Sequence, residues 1–284
     1  MPAWRRLTRT TGRWLLSHPQ VAAVSFTGSI AAGRQVAAAC GARGKLVQAE
    51  LGGNNAVVVG RSADIEATAR QVAAAAFSFA GQRCTAPRRL IVAQEVYAEF
   101  ITAMISQVAH LRVGRPQEAD TRLGPLISRE RQRHTDALVE ECRREGGQVI
   151  CGGRIPPGFD GGCWYEPTLI SGLRPQSRAV RDEAFGPLAV VLEAQDFDDA
   201  LRSCNGVDQG LVAILYSSDP DEQRRFLDQA EAGILRIDDP QAGIHPDAPF
   251  TGWKASGIGL PEHGRWDGAF YTQPQAVYWP GWPA

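Results

Sequence analysis

Three short segments carry residue types that could do chemistry: Phe26-Thr27-Gly28-Ser29-Ile30-Ala31-Ala32-Gly33, Glu50-Leu51-Gly52-Gly53-Asn54-Asn55 and Gly81-Gln82-Arg83-Cys84-Thr85-Ala86. A thiolate is a strong nucleophile, and a loop rich in backbone amides beside the cation of Arg83 stabilises that form of Cys84. The same letters also describe a small packing residue. Glu50 closes an apolar run and enters a glycine pair, where partial burial raises a carboxylate's proton affinity toward that of a general base. A surface glutamate in a turn reads the same way. In the first segment Gly28, Ser29 and Gly33 stand where a strand passes into a helix, and helix N-terminal amides with close-approach glycines favour a phosphate. It is neither a Walker loop, since Arg34-Gln35 follow Gly33, nor a G-x-G-x-x-G fingerprint. A plain tight turn satisfies it too.

Those residues need elements to hold them. Apolar runs predict strands over 21–26, 46–51, 56–59, 89–93, 188–192, 212–216 and 233–237, with a last β-prone stretch over 271–279. Helices are predicted over 30–40, 63–80, 95–111, 129–145, 196–203 and 220–232. In the 63–80 helix Ile65, Ala69, Val72, Ala73, Ala76, Phe77 and Ala80 recur at spacings of three and four, so one stripe is buried and Gly81 ends it. Strands alternating with helices imply an α/β fold with a largely parallel sheet.

Composition narrows the function. The 284 residues carry 30 basic and 31 acidic side chains, a balance that speaks against nucleic acid as partner. The six cysteines include no C-x-x-C pair, so neither a disulfide framework nor a metal site is expected. No run of about 18 apolar residues suggests a membrane span. Together with the lack of a signal-peptide core this points to the cytoplasm. No acidic residue precedes Glu50, and the basic first 17 residues fit either an organelle transit peptide or an amphipathic surface helix.

The order of the three segments, with Cys84 placed 34 residues after Glu50, resembles the NAD(P)-dependent aldehyde dehydrogenases. The resemblance runs on through Glu183-Ala184-Phe185-Gly186-Pro187, through Gly210-Leu211 before Tyr216, and through Pro249-Phe250-Thr251-Gly252-Trp253-Lys254-Ala255-Ser256-Gly257-Ile258-Gly259. Glu262, Gly264 and Phe270-Tyr271-Thr272 close it, so that residues 12–279 are covered. It implies an aldehyde dehydrogenase-like α/β fold: a partial coenzyme-binding, Rossmann-like sheet over 1–52, a catalytic domain over 53–252, and a C-terminal segment over 253–284 with an oligomerisation strand. By the same resemblance Cys84 is the nucleophile and Glu50 the base that activates water. Gly28, Ser29 and Gly33 form the pyrophosphate turn, and Leu51 and Gly52 also lie on the coenzyme side. Glu183 holds the nicotinamide ribose, and the ring of Phe185 packs on the nicotinamide.

The implied cofactor is NAD or NADP, the substrate an aldehyde, and the assembly a homo-oligomer. Gly-Gly-Asn-Asn with the Phe-Tyr-Thr ending looks most like dehydrogenases of semialdehydes with an acidic tail, which would need a cation such as Arg83 to hold that tail. The sequence departs from the family pattern at Asp238, where asparagine is usual, and at Thr251, where glycine is commoner. Family members also carry strands, a ribose-binding lysine and an oxyanion-hole asparagine ahead of the point where this chain starts. That gives one alternative expectation, a truncated, catalytically impaired homologue acting as an interaction or assembly module; another is a coenzyme-independent thiol esterase, since Cys84 and Glu50 suffice in principle for acyl-enzyme formation and hydrolysis.

Overall fold

The computed structural model describes residues 9–159, 161–239 and 244–281. In chain order the elements are α1 (Arg9–Ser17), β1 (Ala23–Thr27), α2 (Ile30–Gly41), β2 (Leu46–Glu50), β3 (Asn55–Val59), α3 (Ile65–Phe77), β4 (Pro87–Ala93), α4 (Tyr97–Ala109), α5 (Arg129–Arg144), β5 (Gln148–Cys151) and β6 (Thr168–Ser171). There follow α6 (Arg178–Arg181), β7 (Leu188–Ala194), α7 (Phe197–Asn205), β8 (Gln209–Gly210), β9 (Val212–Tyr216), α8 (Pro220–Gln229), β10 (Ile234–Ile237), β11 (Trp253–Lys254), β12 (Gly257–Ile258) and α9 (Arg265–Tyr271). Among the described residues no helix is long and apolar enough to cross a membrane.

The chain divides into two units, the first made of Met1–Glu50, Ile244–Thr251 and Gly257–Ala284. Its sheet has the order β1-β2-β12, with β1 parallel to β2 and β12 antiparallel. Ser29 caps α2 through its hydroxyl, which accepts from the Ala32 amide at 3.3 Å. The return segment is pinned to β2 by a hydrogen bond from Gln48 Nε2 to the Pro261 carbonyl at 2.6 Å. Gly259 sits at φ +87°, and a Cβ there would overlap the Val47 carbonyl, so this crossing requires glycine.

The second unit comprises Leu51–Gly243 and Gly252–Ser256. Its seven-stranded sheet has the order β10-β9-β3-β4-β7-β6-β5, parallel throughout except for β5 at the edge. The central strands read as unbroken apolar runs because both faces are covered. Val57, Val59, Leu90, Ile91 and Val92 are wholly buried. The crossover β3-α3-β4 runs one way across the sheet and β7-α7-β9 the other, so right-handed connections put α3 and α7 on opposite faces.

Three differences from the sequence expectations matter. The helix expected over 63–80 ends at Phe77, and Phe79, Ala80 and Gly81 then turn through left-handed backbone at φ 53°, 52° and +67°. The short strands β5 and β6 fall in stretches given no strand, Gln148–Cys151 being half-exposed and lacking alternation. Residues 271–279, expected as β-prone, contain the last residue of α9 and then no strand. Among the described residues no strand pairs with them, and a strand without a ladder is not formed.

Candidate active site

In the second unit the chemistry-bearing residues lie on loops that enter neighbouring parallel strands. Gly52 and Gly53 precede β3, Cys84 precedes β4, Glu183 and Phe185 precede β7, and Leu211 precedes β9. Because β9, β3, β4 and β7 are adjacent and parallel, these loops share one edge of the sheet, its amino end. That is opposite to the usual rule for open α/β sheets, which places ligands at the carboxyl ends.

Cys84 is half-buried on the stretch leading into β4. Buried Asn55 holds that stretch: its Nδ2 donates to the Cys84 carbonyl at 2.7 Å and the Ala86 carbonyl at 3.0 Å, and its Oδ1 accepts from the Val212 amide at 3.0 Å. A Cβ on Gly53 would come within 2.8 Å of the Cys84 carbonyl, so only glycine lets the two loops pack this closely. Upstream, the left-handed turn is clipped by Gln82, whose amide and Nε2 both donate to the Phe79 carbonyl at 3.1 Å. Arg88 donates to the Gly81 carbonyl from below.

Glu183 lies against Gly52, where an added Cβ would overlap its carboxylate. Burial pushes the carboxyl up to about 7, opposed by the charge of Arg88, a hydrogen bond from the Gly53 amide, and the charge of Arg131. Arg88 itself is lowered to about 10 by burial, with Glu183 opposing. Glu183 Oε1 is buried and has no hydrogen-bond donor. A carboxylate so placed, against a backbone cradle open only because residue 52 is glycine, can accept from hydroxyl groups of a bound diol. Phe185 sits at φ 43°, with the Arg131 guanidinium 5.8 Å from its ring centre.

In the first unit the Gly28 amide donates to the Glu50 carbonyl at 3.1 Å, which fixes the turn from β1 into α2 against the end of β2. Gly33 is buried in the first turn of α2. Glu50 is the last residue of β2 and is buried. Leu51, the first residue of the second unit, is buried and donates its amide to the Ser256 carbonyl at 2.8 Å. Asp238 takes up φ 52° and accepts from the Ser217 amide at 3.2 Å, a capping role that an aspartate fills as well as an asparagine.

Sequence reasoning did not single out Asn55, Arg88 or Arg131 as site residues. The available signal was the pair Arg88-Arg89 at the mouth of an apolar strand, since buried arginines demand partners. Among the described residues no group of three or more His, Cys, Asp or Glu side chains is arranged to hold a metal.

Residues 7–277 match the aldehyde dehydrogenase family. The chain is 35% identical over 274 residues to the 2,5-dioxopentanoate dehydrogenase of Saccharolobus solfataricus, covering 95% of this chain and 56% of that protein. It is 36% identical over 258 residues to the alpha-ketoglutarate semialdehyde dehydrogenase of Haloferax volcanii, covering 90% and 53%. A solved aldehyde dehydrogenase of Mycobacterium tuberculosis complexed with NAD+ superposes with a TM-score of 0.91 at 28% identity, covering 96% of this chain and 56% of that one. The chain thus spans about half the length of the curated relatives it matches.

Proposed function

This chain belongs to the aldehyde dehydrogenase family, with that family's α/β fold, and we propose that it carries the thiol, the base and the coenzyme-side groups for oxidising an aldehyde to a carboxylate. Cys84 attacks the aldehyde carbon, and its sulfur holds the substrate first as a thiohemiacetal and then as a thioester. NAD or NADP, when bound, supplies the hydride acceptor between those two states. Glu50 takes a proton from the water that hydrolyses the thioester.

The observation that carries this reading is the pairing, within one unit, of a half-buried thiol loop pinned by Asn55 with a Glu183 carboxylate whose buried Oε1 has no donor. Glu183 and Gly52 would hold the nicotinamide ribose, and Phe185 would pack on the nicotinamide. In the other unit, the N-terminus of α2 after Gly28 and Ser29, with Gly33 in its first turn, would meet a pyrophosphate. The relatives named for semialdehydes support a substrate with an acidic tail. The exposed stretch after α9, with Tyr278 96% accessible, supports self-association with a second copy. The six cysteines are free, which suits a reducing compartment such as the cytoplasm.

The test is turnover of short semialdehydes with NAD+ and with NADP+, followed by coenzyme reduction. Reduced coenzyme should form, and Cys84→Ser should abolish it. Absence of product with every semialdehyde, or product formation that survives Cys84→Ser, would refute the reading.

A further inference from the structure

We propose that Arg88 is a positioning residue: it ties the turn that leads to Cys84 to the carboxylate of Glu183, so that the thiol responds to the charge on that carboxylate. The proposal rests on the reading of Cys84 as nucleophile and adds a group that acts on it through the backbone behind it.

Two buried arginines stand at the start of β4, and they are used differently. Arg89 places all three of its nitrogens on carbonyls: Asn54 at 2.8 Å from Nε, Ser203 at 2.5 Å and Cys204 at 2.9 Å. Arg88 places only the two ends of its fork. Its Nη1 donates to the Ala76 carbonyl at 3.4 Å, in the last turn of α3, and its Nη2 donates to the Gly81 carbonyl. Those two acceptors bracket the left-handed turn at Phe79 and Ala80, so one guanidinium holds both of its ends. The approach is close: a Cβ on Gly81 would come within 2.9 Å of Nη1. Arg88 Nε is buried and has no acceptor.

Glu183 supplies the complementary group, since its Oε1 is buried and has no donor. Burial pushes its carboxyl up to about 7, and of the groups that oppose this Arg88 comes first, ahead of the Gly53 amide and of Arg131 on α5. Arg88 in turn feels the charge of Glu183 more than that of Arg83. A buried cation without an anion is costly, and the fork of Arg88 keeps one donor free for this carboxylate. An ionised Glu183 therefore draws on Arg88, whereas a protonated one leaves the guanidinium to the carbonyls of the turn. The change from one state to the other falls in the neutral range. A second link is shorter: Gly53, whose amide bonds Glu183, also packs on the Cys84 carbonyl. The two routes are separable by experiment, because only the first passes through Arg88.

The experiment follows the rate of Cys84 alkylation by iodoacetamide between about pH 5 and about pH 10, read at the Cys84 peptide by mass spectrometry. The uncharged reagent forms one S–C bond and releases iodide. In the unaltered chain the rate should follow ionisation of the thiol at low pH and lag behind it by about threefold or more once Glu183 is ionised, because the carboxylate then takes up the charge of Arg88. Glu183→Gln should show no lag. Arg88→Gln should show none either, and Arg88→Lys, which keeps the charge, should keep most of it. A profile of one ionisation in the unaltered chain overturns the proposal. So does a lag that persists in Arg88→Gln, which would route the coupling through Gly53. Both results leave the assignment of Cys84 standing. A Cys84 that the reagent never reaches overturns the reading of Cys84 as nucleophile, and this inference with it. Amide hydrogen exchange at Gln82, which donates to the Phe79 carbonyl within the turn, decides the question even if the Arg88 variants fail to fold. At about pH 8, Glu183→Gln should slow that exchange about threefold relative to the unaltered chain, since the guanidinium is then left to the Gly81 carbonyl. Equal exchange in the two chains overturns the link.

Discussion

Glu183 carries the clearest pH signature of any single residue. Its carboxyl rises from 4.5 to about 7 through burial, so between those values the folded chain binds a proton that the unfolded chain has released. Stability from this group is therefore greatest at low pH and falls as pH rises through about 7, by about 3 kcal/mol in all. Glu183→Gln, which keeps the neutral shape, should remove that loss. Urea denaturation at about pH 5 and about pH 8 should show wild type losing stability relative to the variant, and parallel behaviour would contradict the argument. The thiols follow the same logic of burial. Cys142 is raised to about 11, chiefly by burial, and Cys204 is also raised by burial. Cys84, half-buried on a loop, should be alkylated before either. Cys84 and Glu50 could be picked from the sequence because their types and flanking glycines announce chemistry. Glu183 could not be picked alone, because its unusual state comes from burial, which only the fold creates, with Arg88 and Arg131 opposing it from far along the chain.

Among the elements, the turn between α3 and β4 decides where the thiol stands. Phe79 and Ala80 in left-handed backbone each cost about 1 to 2 kcal/mol, and the surrounding hydrogen bonds hold them there. Gly81→Ala should be strongly destabilising, since a Cβ at φ +67° would also overlap the Gly186 carbonyl. Asn55→Ala leaves the Cys84 and Ala86 carbonyls and the Val212 amide without their partner, and should cost about 2 to 4 kcal/mol in thermal or urea melts. A loss below about 0.5 kcal/mol would mean the clamp is not needed. Periodicity gave α3 its buried stripe but carried it three residues too far. The stop is written in Arg88, whose reach back to the Gly81 carbonyl no local pattern shows. The strands of the central sheet were legible because fully buried strands are continuous apolar runs. The half-exposed edge strand β5 was not.

For the whole molecule, the order of the motifs revealed the family even though each motif alone was ambiguous. The gathering of the loops at the amino ends of β9, β3, β4 and β7 was not legible, because strand order is a property of the folded sheet. The exposed Val277, Tyr278 and Trp279 lie beyond the last helix, and their accessible apolar surface should drive association of copies. Light scattering across a concentration series should report species larger than one chain, and deletion of residues 272–284 should shift them toward monomer. Monomeric behaviour of the intact chain at high concentration would contradict this.

The central claim is that the sulfur of Cys84 carries the substrate. Peptide mass spectrometry of the Glu50→Gln variant, quenched in acid after mixing with a semialdehyde and NAD(P)+, tests it most directly. Slowed hydrolysis should leave an acyl group, the aldehyde less one hydrogen, on the peptide containing Cys84. An oxidised product released with no adduct at Cys84, or with the adduct on another cysteine, would contradict the account.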